Sequence, residues 1–87
     1  MVEYGVESEA ELCMEFEDET LAELILRSLQ PDNEPLPRGL AISVRRDGSR
    51  VIFRISSQRP VSSLLATIDD IIVMTLVALR SIRAVSP

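Results

Sequence analysis

Residues 62–83, SSLLATIDDIIVMTLVALRSIR, carry more apolar side chains than one side of a helix can hold. On a helical wheel, one stripe at the 3.6-residue period has the pattern of a sheet-covering face and consists of Leu64, Ile68, Ile71, Ile72, Leu79 and Ile82. The opposite side is also apolar, with Ala66, Val73 and Val77 near its centre and Met74 and Ala78 on its shoulder. A small domain buries only one side of such a helix, so the pattern predicts a partner for the other side.

The length and the remaining hydropathy pattern describe a single small domain. The chain has 87 residues, enough for one compact unit with a thin core. Its longest uncharged apolar run, residues 71–79, is much shorter than the roughly 20 residues of a bilayer span. The N-terminus also lacks the pattern of a signal peptide. We therefore expect a soluble, cytoplasmic protein that makes no membrane contact.

The composition argues against an enzyme. Histidine is absent, which removes the commonest general acid–base residue and the commonest metal ligand. Neither serine pair has an activating base, and no glycine-rich phosphate loop occurs. Cys13 is the only cysteine, so no internal disulfide forms. We interpret Cys13 as a small residue that packs within a strand. We expect no catalytic, cofactor or metal site.

Charge is distributed unevenly along the chain, whose net charge is −5. Residues 1–34 contain eleven acidic residues and one basic residue, whereas residues 35–87 contain three acidic and eight basic residues. Strong overall acidity argues against a dedicated nucleic-acid binder. The asymmetry predicts instead that the two halves neutralise each other in the fold.

The periodicity predicts five elements in the order strand, helix, strand, strand, helix. Apolar residues alternate from Glu9 to Phe16, and Asp18 is positioned to cap a helix over 19–29. That helix is predicted to bury Leu21, Leu24, Ile25, Ser28 and Leu29, with Ala22 and Leu26 to one side. Two alternating runs, 40–44 and 51–55, flank Asp47-Gly48, a strong hairpin signal. The long helix follows, with Ser62 or Ser63 as its candidate cap.

These elements predict an α+β fold in which a three-stranded, antiparallel-type sheet has both helices on one face. Residues 1–8 are expected to be a flexible tail and 9–84 a single domain. The open sheet face is predicted to carry Glu9, Glu11, Glu15, Ser43, Arg45, Ile52, Arg54 and Ser56. Since exposed sheet edges invite pairing, two copies are expected to join into one six-stranded sheet.

Two groups of polar residues have alternative interpretations. Arg45, Arg46, Arg50 and Arg54 cluster on the hairpin, where they either pair with the first strand's glutamates or touch the phosphate backbone of an RNA. Asp69 and Asp70 lie about 100° apart on the long helix, so they do not converge on a metal. Asp70 shares the side of Ala66 and Val77. The candidate interface therefore comprises Ala22, Leu26, Ala66, Asp70, Val73, Met74 and Val77.

Two stretches together resemble a known family: SLQPDNEPLPRGL at residues 28–40 and SSLLATIDDII at residues 62–72. They are similar to the Pcc-type (CTAG/Pcc) small subunits of KEOPS, the tRNA threonylcarbamoylation complex. The resemblance covers residues 9–83 and includes the order of elements. The positions that match the family's loop and helix-start motif are Pro31, Asp32, Asn33, Ser63, Leu64, Ala66, Thr67, Asp69 and Asp70.

The resemblance implies a non-catalytic subunit that dimerises by joining sheets. It implies that both helices pack against the threonylcarbamoyl transferase subunit and so support threonylcarbamoyladenosine formation in tRNA. The apolar run 71–79 departs from the family, in which more polar positions are expected. That departure is consistent with a larger interface or with a paralogue that forms a heterodimer with the standard subunit. A small RNA-binding module that uses the hairpin arginines is the competing interpretation.

Overall fold

The chain adopts the predicted order of elements. A computed structural model describes residues 8–29 and 38–85. The elements are β1 (Ser8–Glu15), α1 (Glu19–Leu29), β2 (Leu40–Asp47), β3 (Arg50–Ser57) and α2 (Val61–Val85). Ser8, predicted to end the flexible tail, is therefore the first residue of β1, while residues 1–7 lie outside the described part.

The three strands form one antiparallel sheet in the order β1-β3-β2, so β3 is central and the other two strands are edges. The hairpin predicted between β2 and β3 turns at Gly48 and Ser49. Gly48 has a φ of 64°, and no non-glycine residue of the described chain has a positive φ. A glycine with positive φ at the first central position is the pattern of a type II′ turn.

Both helices pack on one face of the sheet, as predicted. The buried core consists of Ala22, Ile25, Val51, Phe53, Ile55, Leu64 and Ile71. α1 lies over β2 and β3, whereas α2 lies over β1 and β3 and also contacts α1. The opposite, open face carries the residues predicted for it, because Arg54 lies between Glu11 and Ser43, and Ile52 between Cys13 and Arg45.

The two helices run in opposite directions. α1 begins beside the β2–β3 turn, because Arg46 next to that turn hydrogen-bonds to Glu23. α2 begins at the other end of the sheet, where Gln58 donates its backbone N–H to the carbonyl of Gly39. It ends near the β1–α1 connection, where the guanidinium of Arg83 lies 2.9 Å from the carboxylate of Glu17.

The beginnings of the helices test the predicted caps. Asp18 caps α1 as predicted, because its Oδ1 accepts a hydrogen bond of 2.8 Å from the backbone N–H of Leu21. The predicted caps of α2 are wrong: the helix begins at Val61, so Ser62 and Ser63 lie inside its first turn. There the carbonyl of Pro60 accepts a hydrogen bond from the N–H of Ser63.

The buried sides of the helices also differ from the prediction. Leu24 of α1 is 43% exposed and Ile72 of α2 is 39% exposed, although both were expected in the core, and Ser28 is exposed too. In α1 the buried side is centred on Ala22 and Ile25, because the small alanine side chain allows the helix to lie close to the sheet. In α2 the buried positions include Thr75, whose hydroxyl donates to the carbonyl of Ile71 at 2.8 Å.

Candidate protein-binding surface

α2 exposes most of its apolar side chains. Only Leu64, Ile71 and Thr75 of this 25-residue helix are buried. The exposed large apolar residues of α2 are Val61, Leu65, Ile72, Val73, Met74, Leu76, Val77 and Val85. Five of them, Leu65, Val73, Met74, Leu76 and Val77, are each more than half exposed and lie within its central turns. A contiguous exposed apolar surface of this kind is typical of a protein-binding site.

The predicted interface residues of α2 all lie on its exposed surface. Val73, Met74 and Val77 are 51%, 54% and 58% exposed, and Ala66 and Asp70 are exposed as well. Their part in binding a transferase stays a prediction, since position alone does not test it.

The two interface residues predicted on α1 are less exposed than those on α2. Leu26 is half-buried. Ala22 is fully buried at 0% exposure and belongs to the core, so it does not line an open surface. The prediction for Ala22 is wrong because the helix is rotated so that its alanine, not Leu24, touches the sheet.

Leu24 continues the apolar surface of α2, although the sequence pattern had placed it in the core. On α1, Glu19 and Glu23 contact Arg46 of the edge strand β2, so this flank of the helix faces away from α2. Leu24 is five residues after Glu19, or about 140° around the helix, on the flank that faces α2. The exposed side chain of Leu24 therefore borders the groove between the helices.

The exposed apolar residues of α2 form two stripes. The first, here called the top stripe, consists of Ala66, Val73 and Val77. The second, the outer stripe, consists of Leu65, Ile72 and Leu76. Within each stripe the intervals are seven and four residues, which keeps its members on one side of a helix. The outer stripe was not predicted, although these intervals are visible in the sequence.

The outer stripe is directed towards β1. Arg83 reaches Glu17, which follows β1, at 2.9 Å. Leu65 precedes Arg83 by eighteen residues, which is five full helical turns, so both side chains leave the helix in the same direction. Leu76 and Arg83 are two turns apart. The outer stripe therefore lies on the flank of α2 that is furthest from α1.

Three polar residues lie between the directions of the two stripes. Ser62, Asp69 and Arg80 are exposed and recur at intervals of seven and eleven residues. At about 100° per residue, this line falls between the outer stripe and the top stripe. The line is interrupted between Asp69 and Arg80, where Val73 of the top stripe and Leu76 of the outer stripe are three residues apart and therefore neighbours, so the two stripes meet there.

The motif residues that carry the family resemblance have structural positions in α2. Leu64 is buried in the core, and the Thr67 hydroxyl donates a hydrogen bond of 2.9 Å to the carbonyl of Ser63. Asp69 is exposed. The loop residues Pro31, Asp32 and Asn33 lie outside the described residues.

The hairpin arginines do not form one cluster. Arg46 faces α1, where its guanidinium lies 2.9 Å from Glu23 and 3.4 Å from Glu19. It also donates to the carbonyl of Gly48 at 2.8 Å. Hydrogen bonds from Arg27 and Arg46 hold the pKa of Glu23 below its ordinary value. Arg46 is therefore already occupied by contacts within the chain.

The other three arginines lie on the open sheet face. Arg50 is 4.0 Å from Glu15, and Arg54 is directly across from Glu11 without an ion pair within 4 Å in the described residues. Arg45 is exposed opposite Ile52. The expected neutralisation between the acidic and basic halves of the chain therefore rests mainly on the ion pairs of Arg46 with Glu23 and of Arg83 with Glu17, and only weakly on the open sheet face.

The described residues offer no site for metal chemistry. Within residues 8–29 and 38–85, no group of three or more His, Cys, Asp or Glu is placed to hold a metal ion. Cys13 is a free, exposed thiol on β1.

The length and composition of α2 alone would also allow it to cross a membrane. An 18-residue window of this helix has a mean hydropathy of 1.8, and 17% of the window is buried. Asp69 and Asp70 lie in the middle of the apolar segment 61–79, where each would cost about 2.5–3.5 kcal/mol at the centre of a bilayer. In the structure both carboxylates are exposed to solvent.

Comparisons with known proteins agree with the resemblance found in the sequence. The family model described as "Transcription factor Pcc1" matches residues 9–83, nearly the whole chain. Among solved structures, a chain of the "Crystal structure of binary complex Gon7-Pcc1" superimposes with a TM-score of 0.77 at 19% sequence identity. The match covers 91% of this chain and 96% of that chain, which establishes the shared fold. No curated protein matches the chain by sequence. The predicted kinship with Pcc-type KEOPS subunits is confirmed.

Proposed function

Because the chain belongs to the Pcc1 family, we propose that it is a non-catalytic scaffold subunit of the cytoplasmic KEOPS complex. In this role it binds the threonylcarbamoyl transferase subunit through its helices. It supports threonylcarbamoyladenosine formation in tRNA by holding the transferase in the assembly, and it contributes no catalytic group of its own.

The top stripe is the observation that carries this proposal. Val73 and Val77, with Leu24 of α1 and Met74 nearby, present apolar surface that the chain's own sheet does not cover. Covering a few hundred Å² of such surface contributes several kcal/mol, at about 25 cal/mol/Å², before the costs of association. Small side chains such as Ala66 allow another helix to approach closely, so helices of the transferase are a suitable partner.

The proposed assembly includes at least one further copy or relative of the chain. The similar fold in the solved structure belongs to a complex of Pcc1 with Gon7, so that protein is found with a partner that is not a second copy. Both a homodimer joined through sheet edges and a heterodimer with a paralogue are compatible with the edges of this sheet.

The RNA-binding alternative receives less support from the positions of the arginines. Arg46 is engaged by Glu19 and Glu23, and Arg50 lies beside Glu15. Arg45 and Arg54 remain for auxiliary phosphate contacts within the assembled complex. Such contacts would be salt-sensitive.

The proposal is tested by co-expressing the full chain with the transferase subunit of its own organism and measuring the mass of the complex by size exclusion with light scattering. Val77→Asp should lower the affinity by about 100-fold, because a carboxylate is then buried without a partner in an apolar contact. Arg45→Glu, on the opposite face of the sheet, is the matched control and should leave the complex intact.

The circular dichroism of Val77→Asp should match that of the unmodified chain, since position 77 is 58% exposed. A complex that survives Val77→Asp unchanged would refute this surface as the transferase contact. Loss of the complex with Arg45→Glu alone would move the contact to the open sheet face.

A further inference from the structure

We propose that two copies of the chain associate through their helical faces when no transferase is bound, with α2 packed antiparallel on α2 of the second copy. This contact is distinct from any pairing of sheet edges, because it lies above the helices and not at the sides of the sheet. The contact itself follows from the spacing and charge of α2, and only its competition with the transferase rests on the proposed function.

The top of α2 carries the spacing of a coiled-coil seam. The seam residues recur at alternating intervals of four and three residues and are all exposed: Ala66, Asp70, Val73, Val77, Arg80 and Ala84. This seam contains the top stripe and two charged residues. Because the alternation averages about 3.5 residues per turn, it keeps one line of side chains facing a second helix along its whole length. A seam of this kind fits another helix.

The two charged residues of the seam have no opposite charge beside them. All nine basic side chains are arginines within the described residues 8–29 and 38–85, and none lies within 4 Å of the Asp70 carboxylate. Arg80 has no ion pair in the same residues. A charge within an apolar seam weakens association unless the facing helix supplies the opposite charge, so it selects both the partner and the register.

A second copy of α2 supplies both opposite charges in one antiparallel register. This register places Val73 beside Val77 of the second copy. It also places Asp70 beside Arg80 of the second copy, and the two-fold axis repeats both contacts. The alanines at the two ends of the seam meet in the same way. Every layer of the contact therefore combines either two small apolar side chains or two opposite charges.

Other arrangements of the seam leave its charges unpaired or opposed. A parallel pair in register would set Asp70 against Asp70 and Arg80 against Arg80, which is unfavourable. An antiparallel pair shifted by seven residues would place Asp70 either beside Val73 or beyond the end of α2 at Val85. The charges therefore favour one register over its alternatives.

The same register brings the two α1 helices together, because the two-fold axis runs across the helices and crosses α2 at Thr75. Arg83 reaches Glu17, and the two helices of one chain run in opposite directions. Leu24 follows Glu17 by seven residues, so it lies near the level of the α2 residue that precedes Arg83 by seven. That level is one residue from the axis. The 43% exposed side chain of Leu24 would thus meet Leu24 of the second copy.

The size of the contact is that of a specific but reversible dimer. Residues 65–85 of α2 overlap in this register, over a length of roughly 31 Å. With the shorter α1 beside α2, the four helices would bury roughly 1,000 Å² in total, near the lower limit of specific interfaces. Since contacts of this size are commonly transient, a transferase that covers the top stripe would displace the second copy.

Cysteine cross-linking tests the register directly. Cys13 is the only cysteine and is exposed, so Cys13→Ser removes it first. In that background, a chain with Ala66→Cys is mixed with a chain with Ala84→Cys, with oxidised glutathione as the oxidant. The mixed disulfide, identified by mass, should form at least about tenfold faster than the disulfide of either variant with itself, because like positions are roughly 27 Å apart in the dimer.

Reversal of the charged layers tests their part in the contact. Asp70→Arg places arginine beside arginine in both layers and should raise the dimer dissociation constant at least about tenfold. Adding Arg80→Asp to this variant restores opposite charges in the same register and should return the constant to within about threefold of its original value. Sedimentation equilibrium at low salt measures both. Asp69→Arg makes the same charge change outside the seam and should have little effect.

The transferase separates this proposal from the proposed function. Its addition should suppress the mixed disulfide of Ala66→Cys with Ala84→Cys in proportion to the complex formed. A transferase that does not bind the unmodified chain, while the mixed disulfide still forms, would refute the proposed function and leave the self-association standing. An unmodified chain that binds the transferase, with no mixed disulfide above the two self-controls, would refute the self-association alone.

Two further results would overturn the proposal. A dimer whose dissociation constant is unchanged by Asp70→Arg would place the contact elsewhere, such as at a sheet edge. Failure of the doubly reversed chain to recover would exclude the layers of Asp70 with Arg80. If a reversed chain does not fold, the cysteine pair decides the matter, since both substituted alanines are exposed.

Discussion

The two helices lie on the same sheet but differ in how much of their surface the chain itself covers. α1 has eleven residues, a side-chain cap at Asp18, a buried side at Ala22 and Ile25, and an outer flank whose Glu23 is bonded to Arg46. α2 has twenty-five residues and buries three of them, leaving apolar side chains on two further flanks. α1 therefore makes most of its contacts within the chain, whereas α2 leaves apolar surface uncovered, and this is the surface that we propose binds another protein.

The largest expected effect concerns the buried side of α1. Ile25→Ala should lower the free energy of unfolding by about 2–5 kcal/mol, because Ile25 is 0% exposed and its loss leaves a cavity. Leu24→Ala, one position away and 43% exposed, should cost less than about 1 kcal/mol. Urea denaturation of the isolated chain measures both. Equal losses of stability at the two positions would contradict the conclusion that α1 is buried on the side of Ile25 and exposed at Leu24.

Substitutions at the beginnings of the two helices should give a smaller difference in stability. Asp18→Ala should destabilise the chain by about 1 kcal/mol, because Asp18 accepts the hydrogen bond from the Leu21 N–H. Ser62→Ala is the matched control in the first turn of α2 and should change little, since the described contacts give this hydroxyl no capping role. A comparable loss for Ser62→Ala would show that α2 is also capped by a side chain.

The ion pairs on the outer flank of α1 should give the smallest effect. The pKa of Glu23 is lowered from 4.5 by Arg27 and Arg46, so the folded state binds this proton more weakly than the unfolded state does. Its contribution is therefore present above about pH 4.5 and is lost as the pH falls further. Glu23→Gln should reduce stability at pH 7 and leave it nearly unchanged near pH 3. Denaturation curves at both pH values, with exposed Glu9→Gln as the control, check the sign. A loss that is equal at both pH values would exclude the ion pair as its cause.

The sequence predicted those features that depend on local patterns. Alternation between Glu9 and Phe16, the cap at Asp18 and the Asp47-Gly48 signal correspond to β1, the beginning of α1 and the hairpin. The surplus of apolar residues in α2 also correctly indicated exposed apolar surface. Each of these features is determined by residues that are close together in the chain.

Features that depend on how elements pack were not predictable in the same way. The rotation of α1 that buries Ala22 and exposes Leu24 depends on how closely its backbone approaches the sheet, which a helical wheel does not contain. Arg46 was grouped with Arg45 because they are adjacent, but neighbouring strand residues point to opposite faces of a sheet. The central position of β3 likewise depends on contacts between distant segments.

The two stripes of α2 are the same spacing pattern displaced by one residue: Leu65 precedes Ala66, Ile72 precedes Val73, and Leu76 precedes Val77. Exchanges among aliphatic side chains within a stripe would change its shape only slightly. An inserted or deleted residue, by contrast, would turn everything beyond it by about 100° relative to the sheet. Placed before Ile71, it would move one stripe into the place of the other and lift Ile71 out of the core. The evolution of this helix is therefore expected to tolerate substitution far more readily than any change in length.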